Sequence, residues 1–259
     1  MRLSLAPAPS GKLPPMCGRA TITETGEILP DTFSFTEKTN SYNLFQPRFN
    51  LSPRQDIPVV HVDPDTGRMT LRPMHWNLIP GHLRGADAVE RFDREYSTFN
   101  ARLERASSAP TFRLPWQRQR CLVIVDGMVE WTGAKGAKIP FRIRRPDGAP
   151  FAMAGLWDRW RDASAPDGAA QQELWSCSVI VGGADDWFAK YHHRMARLLT
   201  PERYADWLNP DLTDADAVQR LLETNPFPME TMIAERISPR INNPGYDAPD
   251  ALVPVADVN

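Results

Sequence analysis

No apolar run in the 259 residues approaches the ~20 that a membrane-spanning helix needs. Cysteine is scarce: Cys17, Cys121 and Cys177 are odd in number and widely spaced. That pattern excludes a disulfide framework and a cysteine-based zinc site. It fits a reducing, cytoplasmic setting. Metal-ligand spacings, phosphate-cradling glycine loops and dinucleotide fingerprints are also missing. The net charge of −2 excludes a globally basic nucleic-acid binder. Unbroken stretches are few as well, because 25 prolines, about twice the usual share of ~5%, punctuate the chain.

Charge is uneven all the same. Residues 200–259 hold 11 acids against 4 Lys/Arg, a net of −7 within the total of −2, which leaves +5 on residues 1–199. Eight arginines and five acids fall between Arg84 and Arg120, so a local anion-binding face remains open, against the plainer alternative of a solvated mixed surface.

Residues 1–15, rich in proline, read as a disordered extension or a start assigned too early. The folded domain is expected over 16–240, followed by an irregular tail over 241–259. Ile57–Val62 and Met69–Trp76 read as strands joined by the turn cluster DPDTG. Cys121–Trp131 is a continuous apolar run broken at Asp126-Gly127, which suggests a buried strand with a bulge or tight bend. IPFRIRR and Phe151–Trp157, separated by PDGAP, pattern as a hairpin. Leu174–Gly183 is a further strand. Short helices are expected in NARLERASSAP, after Thr200-Pro201, and in TDADAVQRLLE, where Thr213 and Asp216 form a variant capping box. The sum is one mixed α+β domain, mostly antiparallel, with peripheral helices.

Several polar residues stand in apolar or turn settings. Glu130 lies between Val129 and Trp131 at the end of the apolar run. A carboxylate there is either a general acid or base tuned by desolvation or a strand-end partner for an arginine. His192 and His193 precede Arg194, just beyond a glycine-rich strand exit. Asn100 and Arg102 are two apart, so an extended backbone turns both to one side, where they could hold a sugar hydroxyl and a phosphate. Trp76 is either core or, if exposed, a stacking platform for a base. Cys17 directly follows Met16. Only as an N-terminal residue would it carry a free amine beside its thiol.

Together these segments form an order: MCGR (16–19), FNLSP (49–53), WNLIP (76–80), FNAR (99–102), RCLVIVDGMVEW (120–131), AGLW (154–157) and HHRM (192–195). This order resembles the SOS-response-associated peptidase (SRAP) family, which includes shields of abasic sites in DNA, from Met16 to about Leu208. The resemblance implies a compact domain with a barrel-like β core. It implies that Cys17 is the catalytic cysteine, with Asn100, Glu130 and His192 as its companions. It also implies that Arg19, Arg102 and Arg194 hold phosphates, that Asn100 orients the sugar, and that Trp76 packs beside a base. The chain departs from the family pattern at Ala20, Asn77, Val181 and Ala196.

The implied activity is covalent trapping of the open-chain aldehyde of an abasic site in single-stranded DNA. The α-amine of an N-terminal cysteine, with a pKa of roughly 8, is partly neutral near pH 7 and forms a Schiff base. The thiol of the same residue then closes a thiazolidine ring, an intramolecular step favoured by proximity. No metal or organic cofactor is required, and a monomer is expected. The alternative is a cysteine-type autopeptidase using Cys17 with His192 and Asn100, for which residues 1–16 would be a propeptide.

Overall fold

The structure is a computed structural model that describes residues 18–23, 33, 37–39, 46–134, 136–162 and 172–255; Cys17 lies outside these residues. The strands, in chain order, are β1 (Ala20–Ile22), β2 (Glu37–Lys38), β3 (Arg48–Leu51), β4 (Asp56–Val62), β5 (Met69–Trp76), β6 (Asn100–Arg102), β7 (Arg120–Val125), β8 (Gly127–Thr132), β9 (Ile139–Arg144), β10 (Phe151–Arg161), β11 (Glu173–Gly183), β12 (Arg194–Ala196), β13 (Leu198–Leu199) and β14 (Ile233–Arg236).

Five of them close a barrel. β11 pairs with β10, β10 with β7, β7 with β4, β4 with β5, and β5 returns to β11. A ring of five strands cannot alternate direction all the way round, so one pair must be parallel, and that pair is β5–β11. The strands of the ring carry side chains buried on both faces, as in Arg120–Val125, where every residue is buried. Gly155 fits the crowded wall: a Cβ there would come within 2.7 Å of Val123 Cγ2 and 2.9 Å of Cys121 Sγ. Pro58 and Pro73 face each other across β4–β5, at positions where neither strand pairs with an outer neighbour, so their missing N–H groups leave no ladder bond unmade.

The apolar run expected as one bent strand is β7 followed by β8, and the break at Asp126-Gly127 moves the chain from the barrel into a second sheet. That sheet has the order β14-β9-β8-β1-β3. The bend is pinned by Asp126, whose carboxylate accepts from Thr21 Oγ1 at 2.5 Å and Arg142 Nη2 at 2.9 Å. Gly127 allows the close approach, because a Cβ there would meet Thr21 Oγ1 at 2.5 Å.

The hairpin expected between IPFRIRR and Phe151–Trp157 does not form. β9 pairs with β8 and β14, whereas β10 belongs to the barrel. The two patterns differ for this reason: alternation in β9 suits a sheet covered on one side, and the continuous apolar run of β10 suits a wall covered on both.

Helices lie outside the barrel. Trp116, in Arg113–Arg118, and Trp207, in Tyr204–Leu208, are fully buried against it. Arg120, 3% exposed, donates to the carbonyls of Trp116 and Gln117 at 2.8 and 2.7 Å and to that of Trp207 at 2.8 Å, which caps the C-terminal ends of both helices. The helix Ala215–Glu223 is capped by Asp214, which accepts from the Ala217 N–H at 2.7 Å; the cap expected at Thr213 is displaced by one residue. The helix Ala86–Glu95 was not foreseen, because only Val89 and Phe92 mark its apolar face.

Residues 241–255, expected to be irregular, include the short 3-10 helix Pro249–Leu252 and a bridge from Pro254 to Ile237. Ile237, Ile241 and Ala251 form a small core with Val129, on the side of the second sheet away from Met128, which joins the main core.

Candidate functional site

Glu130 is placed by alternation along β8. Val129 and Trp131 turn toward the C-terminal segment, so Glu130 shares the opposite face with Met128. Its side chain is 3% exposed, and it pairs in register with Phe141 of β9. β1 lies on the other side of β8, with Ala20 opposite Met128 and the Val129 N–H bound to the Arg19 carbonyl at 3.1 Å.

Tyr191, the residue before His192, approaches the same area from the other sheet. The Tyr191 ring lies 5.3 Å from that of Phe141, the residue paired with Glu130. His192 Nδ1 is 3.0 Å from the Arg194 amide nitrogen and 3.1 Å from its carbonyl oxygen. Nδ1 thus faces one backbone donor and one backbone acceptor of Arg194: it accepts from the N–H when neutral at that atom and donates to the carbonyl when protonated there. Burial holds the His192 pKa below its usual value; the Arg194 carbonyl acts in the opposite sense, and the charges of His193, Lys138 and Arg194 add to the lowering.

Three further groups share one face by register. On β11, Val179 pairs with Asn100 and Val181 with Arg102, while Val181 and Gly183 pair with Ala196 and Arg194 on the other side. Residues in register lie on the same face, so Asn100, Arg102 and Arg194 point the same way. Arg102 is exposed and Asn100 half-buried. Arg194 is held by Glu104, with Nη1 at 3.2 and 3.1 Å from its two carboxylate oxygens. Val181, 1% exposed, stands between Arg102 and Ala196, so an apolar residue fills that place in the row.

Asn100, Arg102, His192 and Arg194 are thereby linked to one another, and Tyr191, the chain neighbour of His192, meets Phe141, the strand partner of Glu130. Two other expected residues are not part of this face. Trp76 is 1% exposed, and its Nε1 donates to the Phe99 carbonyl at 3.0 Å, so it has no ring face to offer a base. Arg19 is 4% exposed. Its Nη1 donates to Asn50 Oδ1 at 2.5 Å and to the Ile241 carbonyl at 2.8 Å, so its guanidinium is turned away from any phosphate. Cys17 lies outside the described residues.

Sequence reasoning missed Glu104 and Asn50, and it did not single out Tyr96, an exposed aromatic close in the chain to Asn100. Tyr96 is 54% exposed and its ring stacks 4.7 Å from that of Phe92, four residues before Asn100. No motif marks it, and its signal is exposure alone. Asn50 sits in the FNLSP segment, yet its task appears only with its partners. Asn77 is fully buried: its Nδ2 donates to Asp93 Oδ1 at 2.8 Å and its Oδ1 accepts from the Thr98 N–H at 2.7 Å, which fastens the segment carrying Tyr96.

Among the described residues no group of three or more His, Cys, Asp or Glu side chains could hold a metal ion. No described helix is long and apolar enough to cross a membrane.

A family model described as SOS response associated peptidase (SRAP) matches residues 16–244. The abasic site processing protein YoqW of Bacillus subtilis is 31% identical over 238 residues, covering 92% of this chain and 99% of that protein. The abasic site processing protein HMCES of Pongo abelii is 23% identical over 279 residues, covering 93% of this chain and 76% of that protein. A crystal structure of a Bacteroides thetaiotaomicron protein shares the fold with a TM-score of 0.74 at 24% identity, covering 93% of this chain and all of that one. A Bordetella bronchiseptica protein gives a TM-score of 0.67 at 26% identity, covering 86% of this chain and 100% of that one.

Proposed function

The chain belongs to the SOS response associated peptidase family, and from that premise we propose that it processes abasic sites in DNA, trapping their open-chain aldehyde in single strands through Cys17. Relatives named for abasic-site processing support the substrate class. The observation that supports the chemistry is the pairing of β1 with β8: the Arg19 carbonyl, two residues after Cys17, accepts the N–H of Val129, the neighbour of buried Glu130.

In this reading Cys17 is the N-terminal residue. Its neutral amine adds to the aldehyde carbon, and the carbinolamine loses water to give an imine. The thiol adds across the C=N bond, its sulfur to carbon and its proton to nitrogen, and closes the thiazolidine. No oxidant or reductant is consumed. Glu130 carries protons during addition and loss of water. His192 assists opening of the sugar ring or holds the hydroxyl it releases. Asn100 orients the sugar. Arg102 and Arg194 hold flanking phosphates, and the exposed Tyr96 ring stacks on a neighbouring base.

The test is incubation with abasic and intact oligonucleotides, resolved on a denaturing gel, with the mass of the N-terminus measured on the same sample. A shifted band with the abasic strand only, lost in Cys17→Ala, is expected. A band that survives Cys17→Ala, or that forms with residues 1–16 still attached, sinks the aminothiol mechanism. An autopeptidase would instead shorten its own chain without DNA and give no shifted band.

A further inference from the structure

We infer that residues 237–255 act as a strap that sets the position of the N-terminal nucleophile against Glu130, with Arg19 as the positioning residue. The inference rests on the capture reading for what residue 17 does. It replaces the phosphate contact that the family resemblance implied for Arg19.

The guanidinium of Arg19 is costly to bury, and it is kept by oxygens rather than by solvent. Burial pushes its pKa down to about 10. One nitrogen, Nη1, makes both bonds: to Asn50 Oδ1 at 2.5 Å and to the strap at the Ile241 carbonyl, 2.8 Å away. Asn50 is itself tied to the strap, because its Nδ2 lies 3.2, 3.0 and 2.7 Å from the carbonyls of Ile241, Asn243 and Tyr246. Asp247 of the strap accepts the N–H groups of Phe49 and Asn50 at 2.6 and 2.9 Å. The residue two places after Cys17 is therefore referenced to the strap twice.

The strap also holds the other side of the reaction. Trp131, next to Glu130, donates Nε1–H to Asn242 Oδ1 at 2.6 Å, and the Arg19 guanidinium carbon lies 5.7 Å from the centre of its ring. Beneath these polar contacts Val129, Ile237, Ile241 and Ala251 form one apolar cluster, with Trp131, Tyr246 and Leu252 packed against it. The residue two places after the nucleophile and the neighbour of the acid–base group are thus tied to a common element. A displacement of about 1 Å at such a pair can cost on the order of 10²-fold in rate.

The experiment measures capture of an abasic oligonucleotide as a function of its concentration, together with equilibrium binding of the intact strand across a salt series. Arg19→Met is expected to lower the saturating capture rate by about 10- to 100-fold. The half-saturating concentration, the affinity for the intact strand and the salt slope should stay unchanged. Arg19→Lys should recover part of the rate, because a single ammonium can make both bonds of Nη1. Asn242→Ala, at an exposed strap position, is a second variant should Arg19→Met fail to fold; it should lower the same rate severalfold. Weaker binding with a shallower salt slope in Arg19→Met would return Arg19 to the phosphates and overturn the inference. So would an unchanged saturating rate in both variants. If the unaltered protein captures no abasic strand, the capture reading falls by itself. Hydrogen exchange in a peptide covering residues 18–23 then decides the anchoring: faster exchange in the variants supports it, and unchanged exchange removes it.

Discussion

His61 and His192 are each bound to an arginine, and they differ in where the second ring nitrogen goes. His61 is fully buried in the barrel wall. Its Nδ1–H donates to the Val62 carbonyl at 3.0 Å, and its Nε2 accepts from Arg72 Nε at 2.9 Å. Arg72 continues to Asp63 at 2.5 Å and lies 3.7 Å over the Trp175 ring, whose centre is 4.8 Å from the Arg159 guanidinium. Asp63 spends its other oxygen on the N–H groups of Asp65 and Thr66. His192 spends only Nδ1, on the Arg194 backbone, and its Nε2 has no hydrogen-bond partner among the described residues. The same residue types therefore make a closed network in one place and an open one in the other. A closed network holds a fold; an open one can meet a substrate.

Substitutions should separate the two. The largest effect is expected from Glu130→Gln, which keeps the shape of a buried side chain and removes its proton transfer. Capture should slow by about 10²- to 10⁴-fold with little change in the urea midpoint; an unchanged rate would take Glu130 out of the chemistry. Asp63→Ala should do the reverse. It leaves the Arg72 guanidinium, 13% exposed, without its anion, at a cost of about 3 kcal/mol in unfolding free energy. Capture per folded molecule should not move, and a loss of capture there would join the two networks. A third contrast is pH. Burial first, and the charges of Arg72 and Arg159, push His61 down to about 3 against the opposing Val62 carbonyl. The folded value lies below the unfolded value of ~6.5, so the unfolded chain binds the proton first and stability falls as pH drops between those values. His61→Gln should flatten the urea midpoint between about pH 6.5 and 4. A slope as steep as before would place that titration elsewhere.

The sequence shows strands better than their neighbours. Alternation in Ile139–Arg144 and the unbroken run in Phe151–Trp157 were both visible, but pairing them as a hairpin ignored that the two patterns belong to differently covered sheets. Asp126-Gly127 was legible as a bend, because a turn dipeptide interrupts an apolar run. Asn100 and Arg102 were legible as a same-side pair, because a strand has period two. Arg19 and Trp76 could not be placed, since exposure depends on what packs over a residue, and the packing on Arg19 comes from Ile241, 222 positions away. Glu104 escaped notice because nothing local distinguishes a solvated glutamate from one that closes on Arg194.

That glutamate gives the smallest and most specific contrast. Its two oxygens sit 3.2 and 3.1 Å from Arg194 Nη1, where the proposed function puts a DNA phosphate, so the free protein carries its own anion in that place. Burial would raise the Glu104 pKa, but its own backbone N–H, the hydrogen bond and charge of Arg194, and the charge of Arg197 outweigh this and hold it below the usual value. It therefore stays ionised wherever capture is assayed near neutrality. The pair is exposed at the glutamate end, 53% against 21% for Arg194, and surface pairs of this kind are weak. A phosphate can displace such a partner at small cost. Glu104→Gln should tighten binding of an intact single strand by about 1.5- to 5-fold and steepen the salt slope by up to about 0.7, both read by fluorescence anisotropy across a salt series. The analogous change in the closed network, Asp63→Asn, should alter neither. Equal responses in the two variants would mean that Arg194 is as structural as Arg72, and that the phosphates lie elsewhere.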